Sequence, residues 1–123
     1  MKDSSPPSPQ PPGENFLAGV TEGFYGPPWS QAERFELLGW MAAWKLKAYL
    51  YAPQDDLKHR VLWREPYSAS ETEALREVSR VCEKRNIRLI YALSPGLDIR
   101  YHDDAELERL RTRFEEMRAL GCR

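Results

Sequence analysis

The spacing of apolar residues changes along the chain, and the changes predict three strand-then-helix units. Short apolar runs that end at proline, glycine or polar residues predict strands over Phe16–Thr21, Ala48–Pro53 and Ile87–Ser94. After each run, apolar residues recur every three or four positions, which predicts an amphipathic helix. This order favours a parallel sheet with right-handed crossovers.

The ends of the predicted helices carry recognisable capping residues. Ser30 has Glu33 three residues later, a capping-box pattern, while Ser68 or Ser70 and Asp103 or Asp104 are the alternatives for the other two helices. Asn86 and Gly121 are suited to ending helices two and three. The apolar stripes predicted to face the core comprise Phe35, Leu38, Met41, Ala42 and Trp44, then Leu75, Val78 and Cys82, and finally Leu107, Leu110, Phe114 and Met117.

The chain divides into two regions by composition. Residues 1–14, "MKDSSPPSPQPPGE", are rich in proline and serine and predict a disordered tail. Residues 15–123 form the predicted domain. Three parallel strands would leave two unpaired edges and one uncovered face, so we expect a fragment of a larger barrel or doubly wound fold in preference to a domain that needs a partner.

Charge and composition exclude several classes of partner. Charged residues make up 30% of the 123-residue chain, and the net charge is −1, which predicts no binding to nucleic acid or anionic membranes. No apolar stretch approaches the roughly 20 residues of a membrane span, and no signal peptide is recognisable. Cys82 and Cys122 lack disulfide-framework or metal-ligand spacing, so we expect two reduced thiols.

Candidate chemistry is concentrated in the loops that follow the predicted strands. In the first, "EGFYGPPW", Gly23 and Gly26 can adopt backbone angles closed to other residues, or let a ligand approach the backbone. Phe24, Tyr25 and Trp29 could form flat walls for a sugar or a base. A tight turn packed over its own aromatic residues explains the same pattern equally well.

The second loop contains a tempting pair of acids, Asp55 and Asp56. Two carboxylates could act as acid and base in a glycosidase. However, adjacent residues of an extended chain point in opposite directions, so turn capping or pairing with Lys58 and Arg60 is the favoured interpretation.

Other reactive side chains in the loops carry weaker signals. His59 and His102 lack the spacing of metal ligands, and Ser94 lacks a nucleophile-elbow pattern. Trp63, Arg64 and Glu65 are expected to pack and to form surface ion pairs.

Three motifs together resemble one family. "GVTEGFYGPPW", "YLYAPQDDLKHRVLWRE" and "IYALSPGLDI" occur in the order found at the start of the catalytic barrel of the O-GlcNAcases, the family 84 glycoside hydrolases. The resemblance covers residues 16–123. It implies an α/β fold that comprises the first three β/α units of a (β/α)₈ TIM barrel, truncated before the fourth strand. It also implies removal of β-linked N-acetylglucosamine from serine and threonine of glycoproteins, without a metal or organic cofactor.

The family mechanism is retaining and substrate-assisted, with two consecutive aspartates that follow the family's Gly-Cys-Arg almost at once. Here Gly-Cys-Arg occupies 121–123, so the resemblance implies that the pair is absent and that the chain alone is inactive. Asp55 and Asp56 match a different pair. Gly23 matches a residue whose backbone contacts sugar hydroxyls. Gln54 matches a sugar-contacting position that is lysine in the family, and an uncharged amide would weaken that contact.

The resemblance leaves a choice between an enzyme fragment, which we favour, and a non-catalytic carbohydrate-binding or regulatory paralogue. Similarity to the animal nucleocytoplasmic members implies a cytoplasmic location, with the nucleus as a second compartment. O-GlcNAc-modified proteins are the implied partners, and the oligomeric state stays open.

Overall fold

The three strand-then-helix units are present in the computed structural model, which describes residues 16–123. The predicted disordered tail lies outside the described residues. The elements are β1 Gly19–Glu22, α1 Gln31–Ala43, β2 Ala48–Tyr51, a 3₁₀ helix Leu57–His59, α2 Ala69–Lys84, β3 Arg88–Tyr91 and α3 Asp104–Ala119. The strands form one parallel sheet in the order β1-β2-β3, so the predicted α/β class is confirmed.

The strands are shorter than predicted, because backbone pairing sets their limits and the apolar runs extend beyond it. Gly19 opens β1 opposite Ala48, whereas Phe16 is 63% exposed. At its other end β1 includes Glu22, one residue beyond the predicted end, because Glu22 pairs with Tyr51.

The helices begin where the capping residues indicate. Ser30 accepts a hydrogen bond from the amide of Glu33, whose carboxylate accepts one from Ser30, so the predicted capping box is confirmed. Ser68 forms the same arrangement with Glu71 and begins α2. Asp103 is the cap of α3.

Two of the three helix ends follow the predicted chemistry. Asn86 and Gly121 adopt φ angles of +56° and +104°, the left-handed conformation that ends a helix. The end of α1 does not follow from the sequence pattern, because Lys45 takes the left-handed position at φ +60°.

The helices pack on one face of the sheet. Tyr49, Tyr51 and Leu89 point toward them, and the buried core comprises Leu38, Met41, Tyr49, Tyr51, Leu75, Val78, Cys82, Ile87, Leu89 and Met117. Alternate residues point to the opposite face, where Thr21 is exposed and Leu50 half-buried. In residues 16–123, no helix is long and apolar enough to cross a membrane.

The predicted apolar stripe of α3 is wrong in part. Leu107 and Phe114 are 45% and 53% exposed, while Glu106 and Arg113 are buried together with Met117. Arg113 donates to the carbonyl oxygen of Lys58 at 2.8 Å, and also to that of Glu65. The helix therefore turns a polar face toward the loop after β2, which apolar periodicity could not reveal.

The stripe of α1 also ends earlier than predicted. Leu38 and Met41 are fully buried, but Trp44 caps the helix and is 66% exposed. Trp44 stacks loosely on Trp40, with ring centroids 6.2 Å apart.

Candidate functional site

The carboxyl-terminal edge of the sheet brings the two predicted sugar-contacting residues together. Gly23 directly follows β1, and Gln54 lies three residues after β2. The side-chain amide of Gln54 donates a hydrogen bond to the carbonyl oxygen of Gly23 at 3.3 Å. Gly23 comes next after Glu22, which faces the helices, so alternation directs Gly23 to the helix-free face.

Gly23 and Gly26, the two glycines of the first loop, disfavour a side chain for different physical reasons. Gly26 has a φ of +102°, a left-handed angle that side chains disfavour. Gly23 has no positive φ, and a Cβ added to it would lie 3.3 Å from Cγ2 of Thr21. A side chain at Gly23 would therefore crowd Thr21, and the freedom of backbone angle predicted for both glycines applies to Gly26.

A buried carboxylate, Glu22, holds the first loop in place. Its side chain accepts hydrogen bonds from the Trp29 amide at 3.0 Å, from the Arg34 guanidinium at 3.0 Å and from the Tyr49 hydroxyl at 2.5 Å. The Glu22 side chain is fully buried and that of Arg34 is 11% exposed. Because Glu22 and Trp29 flank the loop, this one carboxylate ties its two ends together.

Sequence reasoning placed Glu22 in the loop and gave it no role. The available signal was an acid at the very end of a strand, followed by an arginine in the first turns of the next helix. Burial and the hydrogen bond to Glu22 raise the pKa of Tyr49, so its hydroxyl remains a donor.

Trp29 contributes to the packing of the loop more than to a ligand surface. It packs partly buried against the core and meets the Phe24 ring edge-on at 5.0 Å between centroids. Tyr25, by contrast, is 84% exposed. The two interpretations of the aromatic residues therefore apply to different residues, with Trp29 packed and Tyr25 free to contact a ligand.

The second loop is held by Asp56. Its carboxylate accepts from the backbone amide of Lys58 at 2.9 Å and from the hydroxyls of Tyr51 and Tyr67 at 2.7 and 2.8 Å. Burial, then the nearby Asp56 charge, raises the pKa of Tyr51. The favoured interpretation of turn capping is confirmed for Asp56, while Asp55 is exposed.

The alternative, pairing of these aspartates with Lys58 and Arg60, is not found within residues 16–123. The Lys58 ammonium lies 2.6 Å from a carboxylate oxygen of Glu71, at the start of α2.

The third loop is held to the second by an ionic network. Asp98 accepts from the Trp63 indole at 3.0 Å and from the Arg64 guanidinium at 2.7 Å. Arg64 also donates to Glu106 at 2.8 Å, and these hydrogen bonds lower the pKa of Glu106 to about 2. The predicted packing of Trp63 and ion pairing of Arg64 are confirmed, whereas Glu65 forms no salt bridge within residues 16–123.

The remaining candidates do not form a reactive centre. His59 is buried, with Nε2 2.8 Å from the Pro53 carbonyl oxygen, and its Nδ1 has no hydrogen-bond partner. His102 and Ser94 are exposed. No group of three or more histidines, cysteines, aspartates or glutamates could hold a metal ion within residues 16–123.

The carboxylates that hold the three loops are engaged by donors of the protein. The four carboxylates that shape this edge, Glu22, Asp56, Asp98 and Glu106, already accept hydrogen bonds from the protein. The side-chain amide of Gln54 and the carbonyl oxygen of Gly23 lie at the same end of the strands, in contact with each other. Such groups hydrogen-bond hydroxyls, which suits a polyhydroxylated ligand.

Known proteins with similar sequences belong to the family that the three sequence motifs resemble. The family model for beta-N-acetylglucosaminidase (NAGidase) matches residues 18–123. Protein O-GlcNAcase from Rattus norvegicus and that from Mus musculus are each 45% identical to the chain over 108 residues. The match covers 88% of this chain and 12% of each relative, so the chain spans about an eighth of their length.

Solved structures extend the similarity to three dimensions. A mutant of the Thermobaculum terrenum O-GlcNAc hydrolase has a TM-score of 0.82 and 39% identity, over 85% of this chain and 23% of that one. CpGH84B has a TM-score of 0.83 and 38% identity, over 87% of this chain and 20% of that one. The resemblance inferred from the three sequence motifs is confirmed.

Proposed function

Because the chain belongs to the beta-N-acetylglucosaminidase family, we propose that it supplies one wall of the sugar subsite in an O-GlcNAcase-like glycoside hydrolase. The proposed reaction removes β-linked N-acetylglucosamine from serine and threonine of glycoproteins. The observation that carries the proposal is the contact between the Gln54 amide and the Gly23 carbonyl oxygen. It brings both expected sugar contacts to one point of the sheet edge.

A (β/α)₈ barrel is the proposed setting of this wall. Helices cover one face of the sheet, and the opposite face exposes Thr21 and leaves Leu50 and Ile90 half-buried. In a barrel this second face would line the interior, and the loops after the strands would surround the active site.

The proposed chemistry is retaining and substrate-assisted. The acetamido oxygen of the sugar attacks the anomeric carbon, one aspartate orients the acetamido group, and the next serves as general acid and then base. Asp55 and Asp56 do not take these roles, because Asp56 is engaged by two tyrosines. We infer that the 123-residue chain contacts sugar without cleaving it.

Titration of the ¹⁵N-labelled chain with N-acetylglucosamine tests the sugar contacts. Backbone and side-chain amide signals near Gly23 and Gln54 should shift, and Gln54→Ala should reduce the shifts. Asp55→Ala is the matched control, because Asp55 is an exposed neighbour, and it should leave them unchanged. Gln54→Lys, which restores a charged donor, should increase them. Equal effects of Gln54→Ala and Asp55→Ala would count against the proposal.

A fluorogenic β-N-acetylglucosaminide tests the proposed inactivity. The chain should release no fluorophore above a buffer blank, because its edge carboxylates are occupied by protein donors. Turnover well above the blank would show that these residues include a catalytic group.

The second candidate function is a non-catalytic carbohydrate-binding or regulatory paralogue. Gln54 favours it, because it is uncharged where the family has lysine, which weakens the contact with the sugar. A form of the protein that includes the next predicted strand and an Asp-Asp pair discriminates: hydrolysis by it supports the enzyme, and sugar binding without hydrolysis supports the paralogue.

We also propose O-GlcNAc-modified proteins as substrates and the cytoplasm, together with the nucleus, as location. Both follow from the resemblance to the animal members of the family. Imaging of the tagged protein in cells checks the second, and an exclusively secretory distribution would contradict it.

A further inference from the structure

A cavity lies between the first and second β/α units, on the helix side of the sheet and near its carboxyl-terminal edge. Its volume is about 410 Å³, within the roughly 300–1,000 Å³ of ligand-binding pockets. The apolar part of its wall comprises Pro28, Tyr51, Pro53, Leu57, Leu62 and Leu75. We call this space the α1–α2 pocket.

The α1–α2 pocket is not a place where the proposed barrel would continue. Further barrel units would pack on the outer flanks of the first and third units. The second unit already has both neighbours, because β2 pairs with β1 and β3 and α2 contacts α1. Every residue that lines the pocket belongs to the first or the second unit. Completing the barrel therefore places no strand or helix in it.

The two cations in the lining are neutralised by acids of the chain. Arg34 donates to the buried carboxylate of Glu22 at 3.0 Å. The Lys58 ammonium lies 2.6 Å from a carboxylate oxygen of Glu71. An anionic ligand would therefore meet cations that are already paired.

Two acids in the lining have no cationic partner. Asp56 accepts hydrogen bonds from the hydroxyls of Tyr51 and Tyr67 at 2.7 and 2.8 Å, and these neutral donors leave its charge uncompensated. Asp55, the preceding residue, is exposed and forms no salt bridge within residues 16–123. The pocket therefore carries net negative charge beside apolar walls, which suits a cation on an apolar stem.

The tyrosine rings of the pocket already face cations of the chain. The Arg34 guanidinium lies 5.3 Å from the centre of the Tyr51 ring, and the Lys58 ammonium lies 5.6 Å from that of Tyr67. An entering cation would therefore gain its affinity from the aspartates and the apolar walls, with little added by cation–π contact.

Exposed apolar side chains next to the pocket favour a polypeptide over a free amine. Leu57 and Val61 are 47% and 48% exposed. The Leu62 amide donates to the Leu57 carbonyl oxygen at 2.8 Å, so these residues form one tight turn. Residues on either side of a basic side chain would pack on this turn, whereas a free amine ends inside the pocket.

We propose that the α1–α2 pocket binds a basic side chain, lysine or arginine, of another polypeptide. The cationic group would pair with Asp55 and Asp56, and the methylene stem would pack against Pro28 and Leu57. A metal ion is less well suited, because no group of three or more potential ligands occurs within residues 16–123. This site goes beyond the proposed sugar-related function and does not depend on it.

Titration of the ¹⁵N-labelled 123-residue chain with acetyl-Gly-Leu-Arg-Leu-Gly-amide tests the proposal. The amide signals of Asp55, Leu57 and Glu71 should shift until the site is saturated, and binding should weaken as salt rises. The same peptide with citrulline, a neutral analogue of arginine, should bind about tenfold more weakly, as expected for losing exposed ion pairs with two carboxylates. This comparison needs no variant of the protein.

Asp55→Asn should weaken binding of the arginine peptide about threefold to fivefold, the range for losing one exposed ion pair. Glu65→Gln is the matched control, because Glu65 is an exposed acid of the same loop that lies outside the pocket. It should leave peptide affinity unchanged, and circular dichroism should show that both variants keep the wild-type fold. Asp55→Asn should also leave the shifts induced by N-acetylglucosamine unchanged, which separates this site from the sugar contacts.

The proposal is overturned if the citrulline peptide binds as tightly as the arginine peptide, or if Asp55→Asn and Glu65→Gln weaken binding equally. It is also overturned if agmatine, a free guanidinium on a similar stem, binds more tightly than the peptide, because the pocket would then belong to a small molecule.

Discussion

Charged side chains have different surroundings at the carboxyl-terminal and amino-terminal edges of the sheet. At the carboxyl-terminal edge, Glu22, Asp56 and Glu106 each accept several hydrogen bonds from the protein, and these bonds hold the loops. At the amino-terminal edge, Lys47 and Arg88 form no salt bridge within residues 16–123. Charges of the first kind position the backbone, whereas charges of the second kind remain available to other molecules. The predictions below test this division.

The largest effect is expected from removing the carboxylate that ties the first loop. Glu22→Ala leaves the guanidinium of Arg34 and the hydroxyl of Tyr49 without their buried acceptor. Breaking a buried ion pair in this way costs about 3–5 kcal/mol in the free energy of unfolding. Urea unfolding followed by circular dichroism measures the change.

Glu36→Ala on the exposed side of α1 is the control for Glu22→Ala, and it should change the free energy of unfolding by less than about 0.5 kcal/mol. A similarly small effect of Glu22→Ala would show that the loop does not depend on its buried carboxylate. The matching change at the other edge, Lys47→Ala, should also be small.

The two edges also differ in why each carries a glycine. A Cβ on Gly19 would collide with the carbonyl oxygen of Ala48, whereas one on Gly23 would meet its nearest neighbour at 3.3 Å. Gly19→Ala should therefore destabilise the fold by about 1–3 kcal/mol or more, as for other overpacked sites. Gly23→Ala should cost less in unfolding and should instead reduce the shifts induced by N-acetylglucosamine.

Gly96→Ala serves as the control for both glycines, because nothing lies within 4 Å of its added Cβ and its φ is not positive. If Gly19→Ala and Gly96→Ala unfold at the same urea concentration, the close approach of β1 and β2 is not a constraint on this fold.

A smaller effect should follow from acidification. Hydrogen bonds from Arg64 lower the pKa of Glu106 to about 2, below its ordinary value of 4.5. A lowered pKa in the folded state stabilises the protein above about pH 4.5, and this stabilisation is lost as pH falls toward 2. Unfolding midpoints measured from pH 7 to pH 2 should show this loss.

Arg64→Gln should lower stability at neutral pH and flatten its dependence on acid. Arg60→Gln, at an arginine without a carboxylate partner, should keep the wild-type profile. An unchanged profile in Arg64→Gln would assign the acid sensitivity to other carboxylates.

The two edges also differ in how much of their structure could be predicted from the sequence. The order and type of the elements could be predicted from the spacing of apolar residues. The roles of Ser30 at the start of α1 and Gly121 at the end of α3 could be predicted because capping depends on a few residues that are neighbours in sequence. Glu22 and Arg113 were missed because their roles depend on partners far along the chain, such as Tyr49 and the Lys58 carbonyl. The meeting of Gly23 and Gln54 could be expected only from the family resemblance.

The smallest effect is expected at the end of α1, which the sequence pattern did not predict. Lys45 ends α1 at a φ of +60°, where a side chain costs about 1–2 kcal/mol relative to glycine. Lys45→Gly removes that strain but raises the conformational entropy of the unfolded chain. The free energy of unfolding should therefore increase by only about 0.5 kcal/mol, as measured by urea unfolding. Lys84→Gly makes the same chemical change at the last helical residue of α2 and should destabilise by up to about 1 kcal/mol. Opposite effects of the two variants on stability would show that the backbone conformation of Lys45 is strained, and a loss of stability in both would contradict this.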